Sequence, residues 1–161
     1  MIDITIPLSF LTKYNIVLSI EEISFAINYD IIYFQDLSQI VDLSLSKYPD
    51  NEDLLDLALD FLLDKSYIDA NLKNLGFNYD ISIEEESLVT NKWRYTILLW
   101  LFENRCENNL DYDKINMVYA DFDYPIDMER FVSYMPPQEI NNKSGYQNIM
   151  DNWKEYLYDN R

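Results

Sequence analysis

The chain has 161 residues, of which 29 are Asp or Glu and 12 are Lys or Arg, with no histidine, a formal net charge of -17 and a pI near 4.1. The missing His removes the side chain that titrates near neutral pH and is the commonest metal ligand. The strong negative charge opposes nucleic acid and anionic membrane surfaces, while 48% hydrophobic and 16% aromatic residues place the acidity on a folded body and not on a disordered tail.

A single domain, 1–161, is expected at this length. Met1 to Pro7 has no basic region and no long apolar run, so it does not read as a signal peptide. The longest apolar run, Ile97 to Phe102, is too short to span a bilayer, and the expectation is a cytoplasmic protein without membrane contact. Helical periodicity dominates. Ser19-Ile20-Glu21-Glu22 fits a capping box opening a helix to about Asn28, with Ile23, Ala26 and Ile27 facing inward. Asp36 can cap the next helix, which runs to Lys47 with Leu37, Ile40, Val41 and Leu45 at helical spacing, and Tyr48-Pro49-Asp50 reads as a stop. Asn51 can cap a third helix through Leu63. A short helix from Tyr67 to Leu75 would end at Gly76 as its C′ residue.

Residues 77–83 alternate weakly and read as a short strand or an extended linker, and residues 77–86 are the best place for a subdomain seam. Glu84-Glu85-Glu86 then lies at a helix N-terminus, where carboxylates favour the dipole. Leu88 to Asn104, with Trp93, Ile97, Leu98, Trp100 and Leu101, is apolar nearly all round and central to the core. Asp111 can cap a helix through Ala120, and Asp127 another through Tyr134, stopped by Pro136-Pro137. A polar loop, Gln138 to Lys143, precedes a last helix from about Tyr146 to Tyr158, with Ile149, Trp153 and Leu157 on one face. The fold class is therefore mainly α: a bundle or stacked antiparallel helix pairs, with one short extended segment near 77–83. Two glycines leave little room for tight hairpins or phosphate-cradling loops.

Charge is uneven along the chain. Residues 1–64 carry 12 acidic and 2 basic side chains; the remaining 97 carry 17 and 10. On a wheel of roughly 100° per residue, Glu52, Asp53, Asp56, Asp60 and Asp64 share an arc of about 120° on the third helix. Leucines, Ala58 and Phe61 fill the rest, so a largely buried helix with one acidic stripe is expected. The stripe reads either as a solvated face or as a docking surface for a basic partner. The glycine-containing calcium-loop pattern is absent. Further on, acids and aromatics alternate through Tyr119-Ala120-Asp121-Phe122-Asp123-Tyr124-Pro125. Either Phe122 and Tyr124 wedge between helices while the Asp residues cap and solvate, or Asp121, Asp123 and Tyr124 form an interface patch suited to holding Arg or Lys.

Other motifs carry little. Cys106 is the only cysteine; it reads as a small buried or half-buried hydrophobe, because a catalytic thiol would want a His partner. Ser44-Leu45-Ser46-Lys47 matches S-x-x-K, but the companion motifs of penicillin-recognising enzymes are missing. Asn142-Lys143-Ser144 is a glycosylation acceptor that a cytoplasmic chain would not use. No P-loop, dinucleotide fingerprint, zinc cluster or basic stripe is present. The expectation is a non-enzyme without catalytic residues, metal or cofactor.

Four segments together resemble a known family: Ile16 to Ile23, Lys92-Trp93-Arg94-Tyr95, Tyr119 to Pro125 with Phe131 to Pro136, and Trp153-Lys154-Glu155-Tyr156-Leu157. They are similar to the bacterial family called domain of unknown function 2247. The resemblance covers almost the whole chain, and Tyr119 to Pro125 is its most specific part. It implies an immunity protein of a polymorphic toxin system, one that binds a cognate toxin domain and blocks its active site. No catalytic residue comes with it. A basic toxin surface would suit the charge, and the partner-binding residues expected are Glu52, Asp53, Asp56, Asp60, Asp64, Asp121, Asp123 and Tyr124. The alternatives are a non-enzymatic adaptor or structural module, and an enzyme working through carboxylates alone.

Overall fold

The computed structural model describes residues 3–63, 83–135 and 145–160. Their fold is mainly α. It divides into two compact units, one within residues 3–89 and the other within 90–161, with one helix running through the division. The expected helix at 67–75 with its Gly76 stop and the loop at 138–143 lie outside the described residues, as does the expected extended segment at 77–83 except for Ile83, which opens a helix.

In the first unit, α1 (Leu8–Lys13), α2 (Ile20–Asn28), a 3-10 turn (Phe34–Asp36), α3 (Leu37–Lys47) and α4 (Glu52–Leu63) follow one another closely. The capping box forms as read. Glu22 N–H donates to Ser19 Oγ at 3.3 Å, and Ser19 N–H donates to the Glu22 carboxylate at 2.8 Å. Ile23 and Ala26 are fully buried and Ile27 is half-buried. The chain leaves α1 and α2 through Asn15 and Asp30, both at positive φ, where short polar side chains are tolerated. Beyond α2 it doubles back so that Ile6 and Ile32 form an isolated parallel bridge, both side chains being buried.

Helix α1 escaped the sequence reading, and it explains why Asp36 does not cap α3. Asp36 already sits in a helical backbone conformation because the 3-10 turn feeds directly into α3, whereas an N-cap needs an extended residue. Its carboxylate instead accepts the N–H of Leu8 at 3.4 Å, at the start of α1, where Pro7 offers no side-chain cap.

The second unit holds most of α5 (Ile83–Glu103), α6 (Leu110–Asp121), a 3-10 turn (Ile126–Phe131) and α7 (Gly145–Asp159). Helix α5 begins more than a turn before Leu88, with Glu84 to Glu86 inside its first turns. Trp93, Ile97, Leu98 and Leu101 are buried, whereas Trp100 is half-buried and Leu88 is exposed, so the helix is not buried all round. Around Trp153 the packing is aromatic: Phe131 stacks on it at 6.4 Å and Phe102 meets it edge-on at 5.1 Å, while Phe131 also touches Tyr156 at 5.2 Å. Such pairs add roughly 0.5–1.5 kcal/mol beyond the area they bury.

Two expected caps are corrected here. Asp111 lies inside α6, one residue past its start, and its buried carboxylate accepts the N–H groups of Cys106 at 2.9 Å and Asn108 at 3.3 Å. It ties down the loop before the helix, in which Cys106, expected to be buried or half-buried, is exposed. Asp127 opens no helix to Tyr134; it belongs to the short 3-10 turn and pairs with Arg94 of α5 at 2.8 Å. Among the described residues no helix is long and apolar enough to cross a membrane.

Candidate functional site

Helix α4 starts where expected, with Asn51 Oδ1 accepting the N–H of Leu54 at 2.9 Å. Its buried face is narrower than the leucine count suggested. Leu54 and Leu57 are buried, but Leu55 is 41% and Leu59 56% exposed. Glu52, Asp53 and Asp56 are exposed and Asp60 is half-buried, while Asp64 lies outside the described residues. The acidic arc thus faces outward as far as it is described, but the rest of the helix is not all buried: two leucines are exposed beside the arc. Glu52 neighbours Leu55 and Asp56, and each of these neighbours Leu59, at spacings of three and four, so two leucines and two carboxylates share one exposed patch with Asp53 at its edge. The like-charged pairs Glu52/Asp56 and Asp56/Asp60 each oppose the helix by about 0.2–0.5 kcal/mol.

The second expected group lies in the other unit, at the end of α6. The N–H of Asp123 bonds to Ala120 O at 3.2 Å and that of Tyr124 to Tyr119 O at 2.9 Å. Asp123 and Tyr124 stand at φ 59° and 56°, two successive non-glycine residues in the left-handed region. That conformation costs roughly 1–2 kcal/mol per residue. Its outcome separates the two aromatics that the sequence reading paired as wedges: Phe122 turns inward and is buried, and Tyr124 turns outward and is 57% exposed.

Tyr124 does not stand alone. Its ring meets that of buried Tyr119 edge-on at 5.3 Å, and Tyr119 in turn meets Tyr134, 56% exposed, at 5.9 Å. Burial raises the Tyr119 hydroxyl pKa above its usual 10.0, as do the charges of Glu129 and Tyr124. Partial desolvation, then Tyr119 and Tyr124, does the same to the largely exposed Tyr134. Asp123 is exposed beside this cluster and Asp121 half-buried. Tyr119 and Tyr134 were missed as site residues. Their signal was their presence in the two segments that carry the family resemblance, yet only contact across the 3-10 turn joins them.

A third polar feature surrounds Asp111. The hydroxyl of Tyr146 donates to its carboxylate at 3.0 Å, and Tyr112 packs on the Tyr146 ring at 5.6 Å. Desolvation first, then the hydrogen bond and charge of Asp111, push the Tyr146 pKa up to about 12. Arg105, Glu107, Tyr146, Gln147 and Met150 line an open cleft of about 320 Å³ beside it. With its carboxylate bound to two backbone N–H groups and a phenol, Asp111 holds the loop and helices together. Among the described residues no three thiol or carboxylate side chains gather to hold a metal ion.

A family model described as "Uncharacterized protein conserved in bacteria (DUF2247)" matches residues 8–161. No curated protein and no solved structure matches the chain.

Proposed function

The chain belongs to that bacterial family, DUF2247, and with this as premise we propose that it is a stoichiometric binder: an immunity protein that neutralises a basic toxin domain by covering its active site. One observation carries the reading, the mixed patch of Glu52, Leu55, Asp56 and Leu59 on α4. A face kept only for solubility has no use for two adjacent exposed leucines, and a face kept only for burial has none for the carboxylates. Interfaces use both, an apolar centre for affinity and a charged rim for register and on-rate. A toxin cleft built to hold an anionic substrate would present the complementary positive charge, and occlusion asks no catalytic group of the inhibitor. The binder acts in the cytoplasm, where the toxin would reach its target.

The test is capture from native bacterial lysate, with the wild-type chain and the triple variant Asp53→Asn, Asp56→Asn, Leu59→Ala as parallel baits. The expected result is one basic protein of toxin size retained by the wild type and lost by the variant. Equal recovery on both baits would remove α4 from the interface.

A further inference from the structure

We propose that the tyrosine cluster of the second unit is a receptor for an arginine side chain of the protein partner: Tyr124 and Tyr134 supply the ring surface, buried Tyr119 fixes them, and Asp123 and Glu129 supply the negative charge. The proposal rests on the reading of the partner as a basic protein and adds which cation it presents and where.

Three observations converge. The backbone adopts two successive left-handed residues that place Tyr124 outside while Phe122 fills the core, so an aromatic ring is held in water where a polar residue would cost nothing. The ring is ordered, because its edge-on contact with Tyr119 and that residue's contact with Tyr134 restrict it. The surroundings stay negative. Arg94 is paired with Asp127, and Arg130 with Glu155 and Asp159, at 2.8, 3.2 and 3.3 Å. These cations are thus already engaged by carboxylates other than Asp123 and Glu129. After burial, the charge of Glu129 is the next cause that raises the pKa of the Tyr119 hydroxyl.

The chemistry of the two cations selects guanidinium over ammonium. A planar guanidinium can lie on an aromatic face while its fork of N–H donors reaches a carboxylate at the rim; a hydrated ammonium does this poorly. Nucleic-acid bases also stack on tyrosine, but their phosphates would meet Asp123, Glu129 and a net charge of -17.

The probe is an end-blocked tri-arginine peptide, with its tri-lysine counterpart as control, titrated into the full chain at low ionic strength and followed by the tyrosine ring signals in NMR. Tri-arginine should shift the Tyr124 and Tyr134 signals and bind about two- to five-fold tighter than tri-lysine, the size of an exposed cation–π contact. Tyr124→Ala should erase that preference and Tyr124→Phe should keep it; Tyr124 is exposed, so both variants retain the fold, checked by circular dichroism. Equal affinity for the two peptides, or an arginine preference that survives Tyr124→Ala, overturns the proposal. A lysate that yields no basic partner while the peptide preference stands would sink the immunity reading and leave the guanidinium site in place.

Discussion

Arg94 of α5 holds the Asp127 carboxylate at 2.8 Å, and the two ends of this pair sit in different surroundings: the Arg94 side chain is 11% exposed and that of Asp127 44%. The buried end makes the pair asymmetric. Asp127→Ala strands a guanidinium in the core, a loss of about 2–4 kcal/mol. Arg94→Met keeps the apolar stem and leaves Asp127 partly in water, so it should cost less, about 1–2 kcal/mol. Urea unfolding of the two variants checks the order; since methionine keeps the stem, a larger loss for Arg94→Met would show that guanidinium contacts other than Asp127, such as the Tyr156 hydroxyl, are what matters.

The capping box of α2 offers a second stability test. Ser19→Ala removes the acceptor of the Glu22 N–H and should lower stability by about 1 kcal/mol. Pairing it with Glu22→Ala should give less than the sum of the two single losses, since both hydrogen bonds belong to one motif. Strict additivity in the double-mutant cycle would contradict the reciprocal geometry.

Alkaline pH should destabilise the second unit. A tyrosine is neutral when protonated, and Tyr146 has its pKa raised from 10.0 to about 12 by burial and by Asp111, so the folded state keeps its proton longer than the unfolded chain. Its contribution to stability is therefore complete below pH 10 and is lost as pH rises from there to about 12. Tyr156, also raised by burial, adds in the same direction. The urea midpoint measured across this range should fall with pH, and Tyr146→Phe should fall less steeply. A midpoint indifferent to pH in the wild type would contradict the Tyr146–Asp111 contact.

The leucines of α4 should separate by face. Leu54→Ala, at a fully buried position, should cost about 2–5 kcal/mol. Leu59→Ala should change stability by no more than about 0.5 kcal/mol while weakening partner binding. Comparable destabilisation by both would mean that Leu59 belongs to the core.

These cases show what was readable in the amino-acid sequence. Ser19 and Glu22 sit in one turn, and everything their geometry needs is local, so the pattern named the helix start. Asp36, Asp111 and Asp127 have the same chemistry and the same local pattern of a cap, but their partners are Leu8, the loop at Cys106 and Asn108, and Arg94. Two of these partners, Leu8 and Arg94, lie far away in the chain, and no local pattern reports them. The acids of α4 were legible from the wheel, whereas the exposure of Leu55 and Leu59 was not: the wheel shows which residues share a direction but not how wide a surface covers it. Tyr124 was legible as an interface candidate; its partners Tyr119 and Tyr134 required the 3-10 turn to bring two segments together.

The measurement that bears most directly on the binder account is the association rate of the captured partner with the full chain as a function of ionic strength, for the wild type, for Asp53→Asn with Asp56→Asn, and for Leu55→Ala with Leu59→Ala. The account predicts a fast, salt-sensitive wild type. The charge variant should be slower, with a flatter salt slope, and the leucine variant should keep its on-rate and salt slope but dissociate faster. Identical rates and slopes for all three would contradict it and return α4 to the role of a solvated helix face.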